Sequence, residues 1–115
     1  MTQAQLKLLQ GTLDVLVLKA MTFGARHGFA VAQWIRQTSD DALGIEDGAL
    51  YTALHRLERR GLIASEWGLS KNNRKAKYYT LTRAGRAQLK SGTHAWTQYA
   101  EAVFKVLQST VEVPA

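Results

Sequence analysis

No cysteine occurs anywhere in this 115-residue chain. That excludes a disulfide framework and any thiolate metal site, and it fits a reducing cytoplasm. Long apolar runs are also missing. No run is longer than Val15 to Leu18, which falls far short of the roughly 20 residues needed to span a membrane. The N-terminus lacks the apolar core of a secretion signal, so a cytoplasmic protein with no membrane partner is expected. No nucleophile–base pair, glycine-rich phosphate loop or carboxylate pair stands out, so no enzyme activity is expected. The three histidines, His27, His55 and His94, have no metal-ligand spacing and no carboxylate cluster near them. Neither a metal nor a cofactor is expected.

What the chain has is a globular composition, 46% apolar, and the length of one domain with a single core. Its net charge is +6, and the excess is local. From Arg56 to Arg86 there are nine basic residues and two acids, Glu58 and Glu66, a net of +7; the remainder carries six basic and seven acidic residues. Such local excess is the footprint of a polyanion contact, whereas a merely soluble basic protein would spread its charge.

Residues 1–10 are polar with leucines at 6, 8 and 9 and read as a short helix or arm. From Thr12, the positions Leu13, Leu16, Val17, Ala20 and Met21 follow the spacing of a buried helical face. Leu9, Val15 and Leu18 add apolar surface elsewhere on this segment, which suits either a helix at the centre of a monomer or one shared with a second subunit. Gly24 fits a helix end, and Ala25–Gly28 a turn. Phe29 to Thr38 reads as a second helix with Phe29, Ala32 and Ile35 inward and Trp34 partly so. Ser39–Asp40–Asp41 and Gly44 break it, and Ile45–Glu46 could form a brief strand.

Asp47 to Gly61 reads as a third helix, with Asp47 as N-cap and Gly61 just past its end. At roughly 100° per residue, Leu50, Leu54 and Leu57 share a core face while Thr52, His55, Arg56 and Arg59 lie opposite. A short helix with a polar, basic outer face suits a major-groove reader. The period then changes. Leu62–Trp67 and Lys75–Leu81 are rich in strand formers, and the polar, basic stretch 68–74 between them reads as a hairpin tip. Tyr79 and Leu81 would share one face of the hairpin, Tyr78 and Thr80 the other. Thr82 can cap a last helix running to about Gln108. On it Leu89, Trp96 and Val103 recur every seven residues, with Ala100 and Leu107 beside them, a seam suited to a partner helix. A homodimer is expected from it. Gly85 and Gly92 interrupt this helix at a cost of about 1 kcal/mol each; Gly92 could mark a close approach to a partner or a ligand. The expected fold is mostly α with a small β-hairpin: a winged helix-turn-helix unit over residues 1–81 and a C-terminal dimerisation helix and tail over 82–115.

The residues Gly11–Thr12–Leu13, His27–Gly28–Phe29, Ala49–Leu50–Tyr51, Leu54–Ile63, Ser65–Gly68, Lys77–Thr82, Gly85 and Trp96 together resemble the PadR family of bacterial transcriptional regulators, in the short form with one C-terminal helix. The resemblance spans about residues 8–108. It implies a homodimeric winged helix-turn-helix repressor on a pseudo-palindromic operator in double-stranded DNA. It also implies that Trp96, with Gly92 nearby, could line an interface pocket for a planar aromatic effector; the other reading of Trp96 is a core aromatic of the dimer seam. The sequence departs from the family pattern at Phe29, where tyrosine is frequent, at Thr52, where proline is frequent, and at Asn72–Asn73, where the wing tip usually has glycine.

On this reading Ala49, Thr52 and Arg56 meet base edges. Tyr51, His55, Arg59 and the amides near Gly28 hold phosphates, and Lys71, Arg74, Lys75 and Lys77 grip the flanking backbone or minor groove. Trp34 and Trp67 are expected to stabilise the fold. A winged helix that binds only protein would not need the basic cluster, and an RNA-binding one would not need paired half-sites.

Overall fold

A computed structural model describes residues 11–114; the arm expected over residues 1–10 lies outside the described residues. The first helix, α1 (Thr12–Ala20), follows Gly11 and passes into a 3-10 turn, Met21–Phe23, that ends at Gly24. Gly24 has φ 112°, ψ −174°, a conformation that L side chains rarely adopt. Next come β1 (Arg26–His27), α2 (Gly28–Thr38), α3 (Asp47–Arg59), β2 (Ile63–Leu69), β3 (Lys75–Leu81) and α4 (Arg83–Leu107).

α1 is the centre of the molecule, and α2, α3 and α4 all pack on it. That is why its apolar residues do not keep to one stripe: Val17, Leu18 and Ala20 are all buried, as is Met21 just past its end. The core continues through Val31 and Ile35 of α2, Leu50, Ala53, Leu54 and Leu57 of α3, and Leu62, Ile63 and Tyr79 of the hairpin. Phe29 does not join it. It is 64% exposed, because Gly28, Val31 and Ile35 set the inward face of α2 and Phe29 lies about 100° round from Gly28. Trp34 packs half-buried against Phe23, with ring centroids 5.6 Å apart.

The sheet has three strands in the order β1-β3-β2, all antiparallel. The third strand is Arg26–His27, which the sequence presents as a turn. It pairs Arg26 with Tyr79 and His27 with Tyr78 along the open edge of β3. Ile45–Glu46 is not a strand. It ends an irregular link in which Asp40 and Asp41 take left-handed backbone (φ 52° and 66°) and Ser39 Oγ accepts from the Leu43 amide at 3.0 Å. Two residues carry too little periodicity to distinguish a strand from a turn.

Asp47 is the first helical residue of α3, not its cap. Glu46 occupies the cap position and makes no side-chain capping bond. The acidic side chain of Asp47 still lies in the first turn, where the helix dipole favours it. The other end closes as expected: Gly61 has φ 74°, its amide donates to Glu58 O at 2.9 Å, and the Leu62 amide donates to Leu57 O at 3.0 Å. These are the two bonds of a Schellman motif. β2 and β3 pair from Ile63↔Leu81 to Leu69↔Lys75, so β2 runs two residues beyond the expected end at Trp67. The tip is closed by Ser70 N–H to Arg74 O (2.8 Å) and Asn73 N–H to Ser70 O (2.9 Å), with Asn73 at φ 58°.

Thr82 caps α4 by accepting from the Gly85 amide at 3.0 Å and also donates to Gly61 O at 2.7 Å, fixing the helix start to the end of α3. Gly85 lies against the Leu62 backbone: a Cβ there would meet Leu62 O at 2.0 Å and Leu81 Cδ1 at 2.7 Å. At Gly92 a Cβ would meet Val15 Cγ2 at 3.0 Å, so the close approach anticipated there is made by α1 of the same chain. Among the described residues no helix is long and apolar enough to cross a membrane.

Candidate nucleic-acid interface

Burial fixes how α3 presents itself. With Leu50, Ala53, Leu54 and Leu57 buried, the direction opposite the core is held by Gly48, Thr52, His55 and Arg59, all exposed. Ala49 and Arg56, also exposed, lie on the flank toward α1. Tyr51 and Glu58 lie on the flank toward the hairpin. The candidate contacts of the helix therefore divide into an outer ridge and two flanks.

On the α1 flank, Arg56 Nε donates to Asp14 Oδ2 at 3.3 Å, and Arg56 Nη2 donates to Asp14 Oδ1. The hydrogen bond to Asp14 raises the Arg56 pKa above its ordinary value. On the hairpin flank, Glu58 accepts from Ser65 Oγ and, at 3.5 Å, from Lys77 Nζ. The Ser65 hydrogen bond, followed by the Lys77 charge, holds the Glu58 carboxyl below its ordinary pKa. Burial pushes the neighbouring Tyr79 hydroxyl up. Lys77 is therefore committed to joining the wing to α3. Among the described residues, these two pairs are the ion pairs of the molecule.

Between α3 and the wing runs an open groove of about 860 Å³. Tyr51 and His55 line it from α3, Gly28 and Phe29 from the start of α2, and Arg74, Lys75 and Lys77 from the wing. Gly28 is buried, and a Cβ there would come within 3.1 Å of Leu54 Cδ1 and 3.3 Å of Tyr51 Cε1, so α2 and α3 meet closely at this point. The Ala30 amide is already used, donating to His27 Nδ1 at 3.2 Å. Lys71 is exposed in the wing turn and does not line the groove.

Two exposed aromatic side chains of the groove escape the sequence reading. Trp67, expected to stabilise the fold, is 59% exposed, with Lys75 Nζ 5.2 Å from its ring centroid. Phe29, expected inside, also lines the groove. Strand alternation was the available signal for Trp67: it follows Ile63 and Ser65 on one face, and that face runs past the edge of the core into the groove.

The expected seam of α4 lies elsewhere. Leu89 packs against the core and Ala100 is half-buried. Trp96 is 45% exposed and donates through Nε1 to Thr12 Oγ1 at 3.1 Å. Val103 and Leu107 are exposed, as are Tyr99, Phe104 and Val106 beside them.

Residues 17–91 match the family model described as Transcriptional regulator PadR-like family. A transcriptional regulator from Clostridium thermocellum superimposes with a TM-score of 0.76 at 27% identity, over 84% of this chain and 90% of its own. A PadR family transcriptional regulator from Eggerthella lenta does so with a TM-score of 0.74 at 32% identity, over 88% of this chain and 86% of its own. An uncharacterised protein of Lysinibacillus sphaericus is 27% identical over 96 residues, 84% of this chain and 88% of that protein. The chain belongs to the PadR-like family of transcriptional regulators and is not an enzyme.

Proposed function

We propose that this regulator is a homodimeric repressor that binds a pseudo-palindromic operator in double-stranded DNA through α3 and the wing. The observation that carries this reading is the joining of α3, through Tyr51 and His55, to a cationic wing across one groove. A helix seated in the major groove would bring the wing to the adjacent backbone. Ala49, Thr52 and Arg56 are the proposed base contacts. Tyr51, His55, Arg59 and the α2 start at Gly28 are the proposed phosphate contacts. Lys71, Arg74 and Lys75 grip the flanking backbone, while Lys77 sets the angle of the wing through Glu58.

The proposed dimer uses α4, with Leu89, Trp96, Ala100, Val103 and Leu107 in the seam. Its support is the row of exposed apolar side chains on the distal half of the helix, an arrangement costly to leave in water. A twofold axis there would set two recognition helices on paired half-sites. A planar aromatic effector stacking on Trp96 near Gly92 is the proposed release signal, supported by the half-exposed ring at the join of α1 and α4.

The test is fluorescence anisotropy with the duplex upstream of the protein's own gene, beside a shuffled duplex, at two salt concentrations. Binding at least ~10³-fold tighter to the former supports the reading. Weak, salt-steep, sequence-blind binding counts against that duplex as operator. Light scattering at micromolar concentration checks the dimer, and a single-chain mass would overturn it.

A further inference from the structure

The side-on grip of Asp14 on Arg56 has a chemical consequence. An arginine has five N–H donors in a planar fork. Asp14 takes the Nε edge and one N–H of Nη2. The two N–H groups of Nη1 and the other of Nη2 have no partner among the described residues. These form the end of the fork, the edge that pairs with N7 and O6 of guanine. The carboxylate also offsets the guanidinium charge. A free arginine is drawn to any phosphate, whereas a neutralised one keeps directional donors but loses much of its long-range attraction.

The pair is arranged for this role. Asp14 is the covered partner, with its side chain 21% exposed against 45% for Arg56. It sits in the first turn of α1, which α4 holds on both sides of it: Thr12 receives the Trp96 indole N–H, and Val15 packs where Gly92 leaves room. The carboxylate therefore has a fixed position, as a buttress requires.

We propose that Asp14 is a positioning residue for sequence discrimination. It holds Arg56 by its side, presents the end of the fork to guanine, and withholds it from phosphates. This rests on the reading of Arg56 as a base contact.

The experiment uses the full chain, an operator duplex selected from a randomised pool, and a shuffled duplex, over a salt series. The variants are Asp14→Asn, Asp14→Glu, Arg56→Ala and the double Asp14→Asn/Arg56→Ala. With Asp14→Asn, the operator-to-shuffled affinity ratio should fall about tenfold. The shuffled duplex should bind more tightly, and its log–log salt slope should steepen by about 0.9 as one more phosphate is engaged. Asp14→Glu, which keeps the charge, should restore much of the ratio, and Asp14→Asn should change nothing in the Arg56→Ala background. An unchanged ratio and slope in Asp14→Asn, beside a lowered ratio in Arg56→Ala, overturns the role of Asp14 and leaves Arg56 a reader. An unchanged ratio in Arg56→Ala overturns the base contact and this inference together. Equal weakening on both duplexes, with a lower Tm and an unchanged slope, shows a purely structural pair and also overturns it.

Discussion

Replacing Gly85 with alanine sets two effects of opposite sign against each other. Helix propensity alone predicts a gain, because alanine is favoured over glycine by up to about 1 kcal/mol inside a helix. The packing predicts a loss. The new Cβ would stand 2.0 Å from the Leu62 carbonyl oxygen and 2.7 Å from Leu81 Cδ1. Leu81 can turn aside, but the Leu62 oxygen is backbone and accepts from the Thr82 amide at 3.2 Å. The start of α4 would have to move outward by an ångström or more, straining the Thr82 cap and its bond to Gly61 O. Overpacking of this kind costs about 1–3 kcal/mol, and a weakened cap adds about 1 kcal/mol. The net expectation is a loss of roughly 1–3 kcal/mol after the propensity gain. Urea titration followed by circular dichroism reads it, as does a fall in Tm of roughly 4 °C or more per kcal/mol. Gly92→Ala is the internal comparison. Its nearest obstacle is a side-chain methyl of Val15 at 3.0 Å, so propensity and crowding should roughly cancel. Should Gly85→Ala prove as stable as the parent, or more so, the packing of α4 on the Leu62 backbone would be wrong.

In DNA binding, Arg56→Ala should cost roughly 1–3 kcal/mol on the operator and relax sequence preference, and a competition assay retaining both would refute the base contact. Lys75→Ala should weaken operator and shuffled duplexes alike and flatten the salt slope by about 0.9. Glu58 has its folded pKa lowered, so its contribution to stability is fully present above the ordinary glutamate range and is lost as pH falls through the lowered value. Urea midpoints between about pH 3 and pH 7 should then show a shallower acid-side decline in Glu58→Gln than in the parent, and parallel curves would refute the linkage. Val103→Glu should shift a sedimentation profile toward the single chain and remove the concentration dependence of Tm expected of a dimer; an unchanged profile would refute the α4 seam.

The helices were legible where many residues agree. α3 showed its core leucines, its closing glycine and its basic face, and α4 showed its cap and its length. What misled was local and brief. Phe29 reads as core by type, yet the inward face of α2 is set by Gly28, a residue with no side chain to announce it. Arg26–His27 reads as a turn because its strand character comes entirely from β3, whose edge it covers. Asp47 reads as the cap because its side chain suits one, but the helix starts there and Glu46 takes the cap position. The groove was half legible. Its cations were visible as a charge excess, whereas the roles of individual cations depend on Asp14 and Glu58, acids 42 and 19 residues away from their partners Arg56 and Lys77, and no spacing rule connects such positions.

Those two acids reorganise the basic stretch. Arg56 is tied to α1 on one flank of the recognition helix and Lys77 to that helix on the other. Lys75 lies over the Trp67 ring, while Arg74 and Lys71 stand exposed around the wing turn. Two of these cations are thus held by carboxylates, whereas Arg59, Arg60, Lys71 and Arg74 stand exposed outside any ion pair among the described residues. Fixed donors are suited to discriminating among base edges, because a misplaced hydrogen bond is lost steeply with distance and angle. Exposed charges outside such pairs are suited to phosphates, which attract at any orientation and contribute through counterion release. On the proposed reading the same net charge serves both selectivity and general grip, and the division between them follows where the protein places its few carboxylates.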